Sequence, residues 1–113
     1  MQISSDIIRG HLEVVILKLI TEQDRYGYEI ATEIYNRTDE KFSIKEATLY
    51  AMVQRLERKE LITSYIGTKS KGSKRRYYKI TTLGRAYYKE KRREWATLKT
   101  LMSRLLEETD ERN

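Results

Sequence analysis

The feature that most constrains this chain is a change of period near residue 60. Before it, Leu49, Met52, Val53 and Leu56 recur at helical spacing and make one apolar stripe. After it, LITSYIG and RRYYKIT are β-branched and aromatic runs of strand length, joined by a polar stretch over 68–74 that contains Gly72. The segment from Ser43 to Ile80 therefore reads as an amphipathic helix followed by a β-hairpin. The S-x-x-E spacing of Ser43 and Glu46 predicts a capping box at the helix start, each side chain satisfying a backbone N–H of the first turn.

The face opposite the apolar stripe carries Ala47, Tyr50, Ala51, Gln54, Arg55 and Arg58, with Thr48 on its edge. Small side chains let a backbone approach a surface closely, and Thr, Tyr, Gln and Arg can contact phosphates and base edges. The hairpin carries Lys69, Lys71, Lys74, Arg75, Arg76 and Lys79 with no acid between them. The whole chain has a formal charge of +6, which equals this one segment's excess, so the rest of the chain nets to zero. A basic run alone can be a solvated face. Held in one hairpin beside a donor-rich helix, it is the electrostatic footprint of a nucleic-acid contact.

Around this segment the chain reads as helices. Residues 5–22 form the first, capped by Ser4 or Ser5. Ile8, Leu12, Val15, Ile16 and Leu19 lie on one face, and Ile7, His11, Val14 and Lys18 make a second stripe. A helix apolar on two sides is buried on two sides, so one face needs a partner. Residues 23–25 read as a polar turn and 27–36 as a second helix with Ile30, Ala31 and Ile34 inward. After the hairpin, Thr81 or Thr82 caps a last helix running to about residue 108, its first turns presenting Leu83, Ala86 and Tyr87 to the preceding domain. Trp95, Leu98, Met102 and Leu105 then follow at coiled-coil spacing, the mark of a helix that packs on a symmetry mate.

The elements ATLYAMVQRLERKELI, RRYYKIT and TLGR, in this order and spacing, resemble the PadR family of bacterial winged helix-turn-helix transcriptional regulators, over about residues 8–106. The length is similar to that of the short PadR-like subfamily, including multidrug-binding regulators of lactic-acid bacteria. The resemblance implies a mainly α fold with a small β-hairpin: a winged helix-turn-helix domain over 1–81 and one long C-terminal dimerisation helix over 82–113. It implies a homodimer on a pseudo-palindromic double-stranded DNA operator, acting as a repressor. Tyr50, Gln54 and Arg55 are the expected groove contacts. Tyr28, Lys45 and Thr48 are expected on phosphates, and Lys71, Lys74, Arg75 and Arg76 on phosphates or in the minor groove from the wing. It further implies a small aromatic ligand at the dimer centre, beside Trp95 and lined by Ile7, Val14, Lys18, Leu98 and Lys99. In those relatives the ligands are flat cations. Here Lys18, Arg92 and Lys99 bring positive charge, which suits neutral or anionic rings better. The family often has Gly before the L-I pair, where a left-handed helix end is easy; Glu60 stands there instead.

Other classes fit less well. One His and no Cys leave little for acid–base, thiolate or metal chemistry, so neither an enzyme nor a cofactor is expected. His11 reads as an interface residue. No uninterrupted apolar stretch suggests a membrane span or signal peptide, and a cytoplasmic location is expected. The alternative reading is a protein–protein adaptor that keeps the scaffold and binds through the long helix without reading sequence. A single-stranded nucleic-acid binder is disfavoured, because adjacent Tyr77 and Tyr78 point to opposite faces of a strand.

Overall fold

The computed structural model describes residues 8–68 and 72–108. Four helices and a small sheet follow in the order α1 (Leu12–Glu22), β1 (Arg25–Tyr26), α2 (Gly27–Arg37), α3 (Glu46–Arg58), β2 (Ile62–Thr68), β3 (Lys74–Ile80) and α4 (Thr82–Leu105). The sheet is antiparallel in the order β1-β3-β2, with Ile62 opposite Ile80 at its base and Thr68 opposite Lys74 near the hairpin tip. This is a winged helix fold with a long C-terminal helix.

The core forms where the inward stripes meet. Ile16, Leu17 and Ile20 of α1, Ile30 and Ile34 of α2, and Leu49, Val53 and Leu56 of α3 are buried, closed below by Ile62, Tyr78 and Ile80 of the sheet. The leading helix is interrupted where its hydrophobic pattern runs on, with Ile8 and Arg9 helical ahead of the break. A turn at Gly10 and His11 precedes α1, and the expected serine caps and Ile7 lie outside the described residues.

Three local features differ from the sequence reading. The polar turn before α2 contains a strand: Arg25 and Tyr26 pair with Tyr78 and Tyr77. Arg25 is buried there, its Nε donating to the Leu19 carbonyl at 2.9 Å and its guanidinium to Glu22. The Ser43–Glu46 capping box does not form, because α3 starts at Glu46 with Lys45 as its cap residue. Phe42 and Ile44 are both buried, and anchoring them holds the approach extended so that Ser43 stays outside the first turn. On α4 the residues facing the domain are Gly84, Tyr87 and Tyr88, while Leu83 and Ala86 are exposed.

The junction between α3 and α4 is tightly built. Glu60 adopts φ +64°, and the Leu61 N–H reaches back to the Leu56 carbonyl while the Glu60 N–H reaches Glu57, a Schellman closure of α3. The Thr81 hydroxyl caps α4 by accepting from the Gly84 N–H at 2.9 Å, and donates back to the Glu60 carbonyl at 2.8 Å. A Cβ on Gly84 would stand 2.0 Å from the Leu61 carbonyl oxygen, so only glycine lets α4 pass this close.

Candidate nucleic-acid interface

With Leu49, Met52, Val53 and Leu56 inward, the turn of about 100° per residue sets the rest of α3. Ala47, Ala51, Gln54 and Arg58 occupy the outward direction. Tyr50 and Glu57 lie on the flank toward α2 and the sheet, where a Cβ on Gly27 would meet the Tyr50 hydroxyl at 2.8 Å. Thr48, Arg55 and Lys59 lie on the other flank, toward α1. Arg55 is turned to that side, its Nε 3.9 Å from a Glu13 carboxylate oxygen and its guanidinium 3.5 Å from the Met52 sulfur. The cation in the middle of the outward face is Arg58, which makes no ion pair among the described residues. The helical wheel puts Arg58 on this face together with Arg55, and the position of α1 separates the two.

The hairpin rises beside this face. Arg75 and Arg76 line a recess of about 500 Å³ together with Tyr50, Gln54 and Glu57 of α3. Each arginine is held from below. The Arg75 guanidinium sits 5.5 Å from the centre of the Tyr26 ring. Arg76 donates to the Ser64 hydroxyl at 3.0 Å, which in turn donates to Glu57 at 2.7 Å. Across the three strands runs a row of tyrosines: Tyr26 meets Tyr77 edge-on at 5.5 Å, and Tyr77 stacks on Tyr65 at 5.6 Å. The sequence reading separated Tyr77 from Tyr78 correctly but missed this row, because β1 is too short to be seen in the pattern. The rings contact one another, and Gly67 leaves the room that Tyr77 fills. The Tyr65 hydroxyl donates to Asp24, which pushes its phenol up to about 12.

The remaining expected contacts are spread around this centre. Tyr28 is 72% exposed in the first turn of α2, so it belongs to the surface and not to the core. Lys45 is exposed at the start of α3 and Thr48 is half-buried beside it. Lys74 is exposed at the start of β3, and Lys71 lies outside the described residues.

Two carboxylates tie the scaffold together. Glu22 accepts from Arg37 at 2.7 and 3.0 Å and from Arg25 at 2.9 Å, with Lys18 at 3.1 Å. Those hydrogen bonds, the Arg37 pair first, hold its carboxyl down at about 2. Glu13 is partly buried, which by itself raises its pKa. The Tyr87 hydroxyl at 2.8 Å and the Lys59 ammonium at 3.1 Å outweigh that and hold it below the usual carboxylate range.

The expected ligand residues divide. Val14, Lys18 and Trp95 line an apolar recess of about 650 Å³ between α1 and α4, with Tyr88 and Arg92 at its edge. Trp95 is 43% exposed and meets the His11 ring edge-on at 5.3 Å. Leu98 lines a smaller recess of about 380 Å³ on the other side of Trp95, beside Glu13. Lys99 is exposed and lines neither recess, and Ile7 lies outside the described residues. Lys18 and Arg37 both pair with Glu22, a single carboxylate that Arg25 shares, and Arg37 also pairs with Glu33, whereas Arg92 donates to the Tyr88 hydroxyl and makes no ion pair among the described residues. Among the described residues no group of three or more His, Asp or Glu side chains could hold a metal ion, and no helix is long and apolar enough to cross a membrane.

Comparison with known proteins gives a consistent picture. The model of the "Transcriptional regulator PadR-like family" matches residues 16–90. A protein of Lysinibacillus sphaericus, described as uncharacterised, is 58% identical over 105 residues, which span 93% of this chain and 96% of that one. A transcriptional regulator from Clostridium thermocellum is 45% identical, covers 93% of this chain and 99% of its own, and superimposes with a TM-score of 0.83. A PadR-like transcriptional regulator from Bacillus cereus is 30% identical over 93% of this chain and 100% of its own, also with a TM-score of 0.83.

Proposed function

The chain belongs to the PadR-like family of transcriptional regulators, and on that footing we propose that it is a cytoplasmic, homodimeric repressor that reads a pseudo-palindromic duplex and releases it on binding a small aromatic ligand. The observation that carries the DNA reading is the convergence of Tyr50 and Gln54 of α3 with Arg75 and Arg76 of the hairpin on one recess. Donors for base edges and cations for phosphates then face the same body. In this reading residues 1–81 form the DNA-binding domain. Tyr50, Gln54 and Arg58 enter the major groove and Arg55 stands at its edge. Tyr28, Lys45 and Thr48 hold phosphates, as do Lys71, Lys74, Arg75 and Arg76 from the wing.

Residues 82–113 serve dimerisation. Of the 24 residues of α4 only Gly84 is fully buried, and Trp95, Leu98, Leu101, Met102 and Leu105 are all more than a third exposed. An apolar stripe of that length on a solvated helix needs a partner, and a second copy supplies a matching one. Pairing through α4 would also close the recess beside Trp95. The recess's apolar walls and Arg92, which makes no ion pair among the described residues, favour a neutral or anionic ring over a cation.

Selection of duplexes by the full chain from a random-sequence library tests the DNA reading. Enrichment of an inverted repeat supports it. Weak, salt-sensitive and sequence-blind binding would favour the adaptor reading. The ligand reading is tested on Trp95, the sole tryptophan, by titrating its fluorescence with cationic dyes, neutral flavonoid-like rings and phenolic acids. Saturable quenching by one class supports it; no response from any of them removes the ligand.

A further inference from the structure

We infer that Glu13 is the positioning residue through which the surroundings of Trp95 and the DNA-reading helix sense one another. The inference rests on the DNA-binding reading above. Glu13 is one carboxylate shared by three elements. From α1 it accepts the Tyr87 hydroxyl of α4 at 2.8 Å and the Lys59 ammonium, one residue past α3, at 3.1 Å, with the Arg55 Nε at 3.9 Å. Lys59 also lies over the Tyr87 ring, 5.7 Å from its centre. On its other side Glu13 lines the recess that holds Trp95, and His11, two residues before it, touches the Trp95 ring.

Two consequences follow from charge and geometry. Glu13 competes with DNA phosphates for Arg55 and Lys59, the two cations on the α1-facing flank of α3. Phosphates that draw those cations away leave Glu13 and Tyr87 to rearrange, and α1 and α4 must then shift against each other around Trp95. Coupling of this kind is reciprocal, so DNA binding must be felt at Trp95 as much as a change at Trp95 is felt by DNA.

The test uses the full chain, its single tryptophan and the duplex selected from the random library. The wild-type chain is expected to change its Trp95 emission on saturation with the duplex. Glu13→Gln keeps the side chain's size and a partner for Tyr87. It is expected to bind the duplex more tightly, with a salt dependence steeper by about one unit for each cation freed to meet a phosphate. Its Trp95 response should be lost. Arg55→Gln made on top of Glu13→Gln should cancel the gain in salt dependence that is due to that cation. Tyr87→Phe, which cuts only the tie to α4, should keep the wild-type salt dependence and weaken the Trp95 response. Wild-type binding with no Trp95 change, or an undiminished change in Glu13→Gln, overturns the assignment of Glu13. A chain that binds no duplex at any salt fails the DNA reading and Glu13 with it.

Discussion

Arg55 and Arg58 are three residues apart on one helix, yet their surroundings differ. Arg55 leans toward the Glu13 carboxylate, whereas Arg58 points outward between Gln54 and the end of α3 without an ion pair among the described residues. Replacing Gln54 or Arg58 by Ala is expected to weaken binding to the selected duplex by about 1–3 kcal/mol each and to relax preference at the bases they meet; competition assays against a scrambled duplex measure both. Arg55→Ala should lose less specificity, because part of its charge is committed to Glu13. At the other end of the helix, Glu60 sits in the left-handed region without the glycine that relieves it. Glu60→Gly is expected to raise stability by about 1 kcal/mol in urea unfolding. The sequence marked Glu60 as the departure from an easy helix end, and the structure shows the chain keeping the same Schellman closure. It could not rank Arg55 against Arg58, because both lie on the solvent side of the wheel and only the position of α1 separates them.

Among the elements, α3 and the hairpin were legible because their periods are strong: four apolar residues at helical spacing, then two strands with a glycine-containing tip at φ +79°. Strand β1 and the start of α3 were not. A two-residue strand has no period of its own, and its place is fixed by Tyr77 and Tyr78 across the sheet. The capping box failed because burial of Phe42 and Ile44 decided the path of the chain ahead of a local hydrogen bond. The wing's contribution to binding is testable through salt. Lys74→Ala with Arg75→Ala should lower the slope of log affinity against log salt by about one unit for each lost phosphate contact. An unaltered slope would mean that the wing stays off the DNA. The α3–α4 junction is set by Gly84: Gly84→Ala puts a methyl into the Leu61 carbonyl, so the helices must separate. Thermal unfolding should show a loss of at least about 2 kcal/mol. The joint of α1, β1 and α2 carries one part of the acid sensitivity, as Glu13 does at the contact of α1 with α4. Glu22 binds its proton less readily folded than unfolded, so the unfolded chain takes up more protons as pH falls. Its contribution is whole above about pH 4.5 and is lost as pH drops toward about 2. Glu22→Gln should flatten that part of the stability profile.

The whole molecule is elongated, about 64 Å by 31 Å by 21 Å, because α4 extends well beyond the domain that packs on its first turns. The apolar side of α4 is what the dimer proposal rests on. Leu101→Glu with Leu105→Glu is expected to halve the sedimenting mass while leaving the helical content of the winged domain in place. A dimer sets the spacing between its two reading helices. The most direct measurement is a methylation-protection footprint of the full chain on the selected duplex, since guanine N7 lies in the major groove. Two protected windows, related by inversion and centred about 10 bp apart or a multiple of it, are the predicted result. A single window, or protection spread evenly along the duplex while the chain is bound, would contradict a dimer that reads DNA through its paired α3 helices.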